Sequence, residues 1–149
     1  MTAQNLLKNE NPHLCGFQSP LLCQNDGFLR VMGDSIQIHN INNNHWVTSH
    51  SKGDEILVYD SRYNGEDISP SLTHQLAIIY KRWSEKEDDG ISLGFNLLNV
   101  QQQDGASDCG LFAIAFAVHA ALGEDVSLVT FDQSQMRNHL AKCFMNKKM

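Results

Sequence analysis

Apolar and polar residues alternate from Ser35 onward, with Ile36 and Ile38 on one side and Gln37 and His39 on the other, the period of two that marks a strand. Asn42, Asn43 and Asn44 turn the chain. Two more extended runs follow, HWVTSH from His45 and EILVYD from Glu55, joined by Ser51-Lys52-Gly53-Asp54. Together these predict an antiparallel meander, on which His39 and His50 face solvent. Ser69-Pro70 then offers a helix cap and a first-turn proline, and Leu72, Leu76, Ile79 and Trp83 recur at helical spacing. Beyond a charged loop over 85–90, residues 91–100 read as another strand. A short helix around residues 2–8 precedes a loop bearing Pro12, Gly16 and Pro20. Near the C-terminus, Asp132 or Ser134 caps a helix whose stripe is Met136, Leu140, Cys143 and Phe144. Strands flanked by segregated helices make an α+β domain.

The run from Cys109 to Leu122 breaks these periodicities, because it is apolar almost all round, as a helix buried in a domain centre must be. It opens on Asp108-Cys109-Gly110 behind three glutamines, Gln101 to Gln103. A cysteine in the first turn feels the positive end of the helix dipole and free backbone N–H groups, which favour thiolate. Gly110 leaves room for another backbone to approach. A lone cysteine in such a helix is equally well a core residue, so Cys109 reads as a nucleophile only if a base lies within reach.

Seven histidines are available. His45 is distinguished by the hairpin. A two-residue turn at Lys52-Gly53 sets Asp60 directly opposite His45, with Cβ atoms about 4.5 to 5.5 Å apart. A turn at Gly53-Asp54, which suits type II′, makes Asp60 a diagonal neighbour roughly 7 to 8 Å away. Either register lets a carboxylate orient the imidazole. His74 and His139 fall on polar helix faces, and His119 interrupts the apolar helix near its end. Asp60-Ser61 is also good turn chemistry.

Composition narrows the function classes. With 149 residues and 42% hydrophobic content the chain suits a single domain, 1–149, with a substantial core. A formal charge of -6 argues against a basic surface for nucleic acid, Lys147-Lys148 at the C-terminus being a short basic pair. No stretch reads as a signal peptide or membrane span, so the expectation is an intracellular protein of cytoplasm or nucleus. Cys15, Cys23, Cys109 and Cys143 do not form a disulfide framework, and His13, Cys15 and Cys23 lack the spacing and the fourth ligand of a zinc site.

His45-Trp46, Val58-Tyr59-Asp60-Ser61 and the segment Gln103-Asp104-Gly105-Ala106-Ser107-Asp108-Cys109-Gly110, in this order, resemble the ubiquitin-like-specific cysteine proteases, a group that includes SUMO proteases and, more distantly, the adenovirus protease. The resemblance spans roughly residues 35–123. It implies a papain-like α+β fold with a central mixed or antiparallel sheet, Cys109 as nucleophile, His45 as base and Asp60 as its orienter. Gln103 would supply the oxyanion hole, with Gln102 taking that place after a one-residue shift. Trp46 would cover a narrow channel for a Gly-Gly tail, with Asp108 and Gly110 also on the substrate side. The implied partner is a ubiquitin-like modifier, SUMO-type or ubiquitin, and its conjugates; no metal or organic cofactor is implied, and the domain is expected to be monomeric and short at its N-terminus. The contrasting expectations are a degenerate module that binds without cleaving, and an acyltransferase using the same thioester.

Overall fold

A computed structural model describes residues 2–25, 27–29, 31, 33–42, 44–53, 55–63, 69–80 and 95–149. The meander forms as the alternation predicts, from β2 (Ser35–Ile41), β3 (His45–Lys52) and β4 (Glu55–Tyr59). Two short parallel edges, β1 (Cys15–Gly16) beside β2 and β5 (Asn96–Leu97) beside β4, complete a mixed five-stranded sheet in the order β1-β2-β3-β4-β5. A two-residue strand carries no period, so β1 is not legible beforehand. Of the strand expected over 91–100, Asn96–Leu97 is observed, and 91–94 lie outside the described residues, as does Trp83. So do the side chains of Cys15 and Cys23.

The β3–β4 register pairs Thr48 with Tyr59 and Lys52 with Glu55, leaving residues 53 and 54 between the last pair. Gly53 takes φ +61 there, the left-handed conformation that a tight hairpin needs at its first central position. Of the two registers considered, the diagonal one is therefore adopted.

Both faces of the sheet are covered. On one lie Ile36, Ile38 and Tyr59, packed against Leu7 of α1 (Ala3–Glu10) and Phe112 and Phe116 of α3 (Cys109–Ala121). On the other, Val47, Ile56 and Val58 meet Leu72, Leu76 and Ile79 of α2 (Pro70–Ile79), together with Phe28 and Val31. Ser69 caps α2 as predicted, its hydroxyl oxygen accepting from the Ser71 N–H.

This double covering corrects the solvent-facing assignment of His39 and His50. His39 is fully buried, its Nδ1 paired with Gln75 Oε1 at 2.9 Å and its Nε2 with Ser49 Oγ at 2.7 Å, while Ser49 Oγ also meets Tyr80 Oη at 2.9 Å. Burial drives its pKa down to about 4, against the raising effect of the Gln75 bond. His50 is also buried, with Nδ1 3.3 Å from Tyr59 Oη. Gln37, on the same side as His39, is buried and bonds the backbone of Gln18 through both amide atoms. A polar residue alternating with isoleucine had here a polar partner, not water. His74 and His139 are exposed, as their helix faces predicted.

The apolar run becomes α3, whose Ala113, Ala117 and Ala120 let its backbone lie close to the sheet. Thr48 Oγ1 donates to the Ala113 carbonyl at 2.6 Å, a bond between positions 65 apart that sets the helix against β3. The outer face of α3 is half-covered by α4 (Gln133–Asn146), capped at Asp132, which accepts from the Ser134 N–H. Central placement thus explains why α3 lacks a polar face.

Candidate active site

The first turn of α3 and the first residues of β3 meet at one end of the sheet. Gly110 faces the Trp46 indole so closely that a Cβ on it would stand 3.6 Å from Trp46 Cδ1, an ordinary van der Waals contact. Cys109, unpaired and only 5% exposed, therefore opens the helix that lies against the neighbour of His45. His45 Nε2 is 2.7 Å from Asp60 Oδ1, and both side chains are mostly buried. Its other ring nitrogen, Nδ1, is buried without a hydrogen-bond partner among the described residues. A buried polar atom left unpaired costs roughly 1–3 kcal/mol, a penalty that marks sites where another group is to be received.

Asp60 makes two contacts through one oxygen. The same Oδ1 that meets His45 accepts from the Arg62 N–H at 2.9 Å, closing an Asx turn at the end of β4. The turn holds the carboxylate in place for the imidazole.

The three glutamines divide their work. Gln101 clamps Phe131, its Nε2 donating to the carbonyl and its Oε1 accepting from the N–H. Gln102 accepts from the Tyr63 N–H and donates to the carbonyls of Asp60 and Val100. Its amide is committed to the loop after β4. Gln103 has its Oε1 held by the hydroxyl of buried Ser61 at 2.6 Å, while Nε2 reaches the Gly105 carbonyl at 3.1 Å. One Nε2 proton is thus occupied, and the second leaves Gln103 the better donor of the two candidates.

Asp108 stands at the N-cap position of α3, yet its side chain makes no capping bond. Its carboxylate turns to α4, accepting from Gln133 Nε2 and from Arg137 Nη2, each at 2.9 Å. Ser61, Gln133 and Arg137 were not singled out in the sequence, because side chain-to-loop bonds leave no periodic trace. Only Ser61, inside the Val58-Tyr59-Asp60-Ser61 match, carried a signal that could have found it.

A cavity of about 390 Å³ adjoins this end, lined by Trp46, Gly110, Ile38, Ile114, Pro20 and Leu21. A second, of about 230 Å³, holds His45 and Asp60 with Asn42, Asn44, Arg62 and Tyr63. The first is largely apolar, and the second, which holds the His45–Asp60 pair, is more polar. Among the described residues no group of three His, Cys, Asp or Glu is arranged to hold a metal ion, and no helix is long and apolar enough to cross a membrane.

Comparison with known proteins places the fold and the family. Residues 35–147 match the Ulp1 protease family, C-terminal catalytic domain. Among solved structures, the SUMO protease Ulp1 with its catalytic cysteine oxidised to a sulfenic acid has a TM-score of 0.67 at 17% identity, covering 97% of this chain and 74% of that one. The C-terminal Ulp1 protease domain in complex with Smt3, the yeast ortholog of SUMO, gives 0.64 at 18% identity, over 97% and 73% of the two chains. A de-sumoylating protease gives 0.55 at 16%, over 80% and 59%. These identities speak to the fold, and no curated protein matches the chain by sequence. With most of its length inside the family match, the chain belongs to the Ulp1 protease family and is a cysteine protease of the ubiquitin-like-specific kind.

Proposed function

We propose that the domain cleaves after the C-terminal Gly-Gly tail of a ubiquitin-like modifier, processing a precursor or releasing a conjugate, with Cys109, His45 and Asp60 as a triad. The observation that carries this reading is His45, tied through Nε2 to Asp60 while buried Nδ1 stays open. Nδ1 takes the Cys109 thiol proton, the thiolate attacks the carbonyl of the terminal glycine, and the leaving amine departs with the proton from Nδ1. Water, deprotonated by the same nitrogen, then hydrolyses the thioester. The negative oxygen that forms in each half is received by Gln103 Nε2 and the Cys109 N–H. Ser61 supports this assignment by holding the Gln103 oxygen and so fixing which end of the amide carries the donor.

The 390 Å³ cavity lined by Trp46 and Gly110 is the place proposed for the tail, Gly110 leaving room beside the indole for a chain without side chains. One solved relative is described in complex with Smt3, which supports a SUMO-type modifier as the first substrate to try.

The test exposes the purified protein to SUMO and ubiquitin probes bearing a thiol-reactive group at the C-terminus and reads intact mass. Wild type is expected to gain the mass of one probe, and Cys109→Ala none. A folded wild type that takes neither probe, or a Cys109→Ala protein that still reacts, overturns the assignment.

A further inference from the structure

The loop 103–108 carries both Gln103 and the residue before Cys109; Arg62 reaches its Ala106 carbonyl at 3.3 Å, and from the side of α4 most of its bonds come from one residue. Gln133, the first residue of α4, accepts from the Asp104 N–H at 2.8 Å and donates to the Asp104 carbonyl at 2.9 Å. It donates again to Asp108 Oδ2 at 2.9 Å. Three bonds thus join one side chain to both ends of a segment whose residues 104–107 are all exposed. Without such a brace an exposed loop containing Gly105 at φ +76 gains conformational freedom.

The brace is reciprocal with a second one. Gln101 holds both backbone groups of Phe131, and Gln133 holds both backbone groups of Asp104. Two short segments, 101–104 and 131–133, are therefore laced together by two amides running in opposite directions. Arg137, one turn further along α4, takes the second oxygen of Asp108. The Asp108 carboxylate is drawn away from the first amides of α3, where an aspartate at the N-cap position would ordinarily bind. Those amides therefore receive no bond from the Asp108 side chain.

We propose that Gln133 is a positioning residue for the protease reaction, holding the 103–108 loop so that the Gln103 donor and the amide of Cys109 converge on one point. This rests on the oxyanion role proposed above for Gln103. Gln133 touches neither Cys109 nor His45 in any bond observed, so its influence runs through the loop. Misplacing a donor by a fraction of an ångström weakens transition-state binding while leaving ground-state binding of the modifier, made over a distant surface, unchanged.

The experiment is a double-mutant cycle on Gln103→Ala and Gln133→Ala, with steady-state hydrolysis of a C-terminal fluorogenic amide of whichever modifier labels the wild type, and thermal melts as a control of folding. Gln133→Ala is expected to lower kcat roughly tenfold, less than the 10²–10³ that loss of the donor itself costs, with KM within about twofold and no further loss when added to Gln103→Ala. Gln133→Asn, one methylene shorter, is expected to fail to restore it. Full additivity of the two losses, or a change confined to KM, overturns the positioning role. If Gln103→Ala is costly and Gln133→Ala silent, this inference fails and the oxyanion reading survives. If Gln103→Ala is itself silent, the oxyanion reading fails and the inference with it.

Discussion

His39 is buried and His45, on the adjacent strand, mostly so, yet they are opposites in chemistry. His39 joins Ser49 and Gln75 in a chain of hydrogen bonds with the connectivity of a catalytic triad, and both ring nitrogens are engaged. His45 engages one nitrogen with a carboxylate and leaves the other open. The first arrangement is sealed, and its Ser49 is fully buried. With His45 as the proposed base, the pair teaches that such a residue is recognised by what its imidazole still lacks. A complete set of partners marks a structural histidine, however catalytic the residue types look.

The comparison can be broken at four points. His45→Ala is expected to reduce turnover of a modifier amide by about 10⁴-fold or more, the scale of losing a triad member, with little change in melting temperature; substantial residual turnover would remove His45 from the base role. Asp60→Asn keeps a hydrogen bond and deletes the charge, and a drop in kcat of roughly 10²–10⁴ is expected. A pH-rate profile should show the loss in kcat rather than in substrate affinity.

For His39 the expected effect lies in stability. Its folded pKa, lowered to about 4, is below the ordinary 6.5, so the unfolded chain takes up a proton that the folded one refuses between those values. The contribution is complete above pH 6.5 and is lost as pH falls toward 4, on the order of 3 kcal/mol in all. Urea melts of wild type and His39→Asn at pH 7 and pH 4.5 isolate it: the wild type should lose the more stability, and equal losses would mean that His39 does not titrate as a buried base. The smallest effect is expected of Ser61→Ala, which frees the Gln103 amide to rotate and should cost roughly tenfold in kcat, below the loss of the donor itself. Unchanged turnover would show that the amide is aimed by Gly105 alone.

The legible part of the fold was what local periodicity encodes. The alternation after Ser35 and the stripe of Leu72, Leu76 and Ile79 announced β2 and α2, and the all-apolar run announced a buried α3. Alternation could not say what the polar side faces. Gln37, His39 and Ser49 point into a second packed layer, where partners distant in sequence replace water. The motif residues His45, Asp60, Gln103 and Cys109 were legible because order and spacing carry them. Ser61, Gln133 and Arg137 act through bonds to loops and side chains far along the chain, and no window of sequence contains both ends of such a bond.

The bond from Thr48 to the Ala113 carbonyl has a consequence in time. It spans 65 positions, and the strand on one side of it carries His45 while the helix on the other begins with Cys109. A ribosome adding about 5–20 residues per second exposes the histidine and aspartate some seconds before the helix that must dock on them. Throughout that interval the nascent chain holds His45 and Asp60 without Cys109. On the reading proposed above, catalysis in a newly made molecule waits until α3 has been made and has docked on β3.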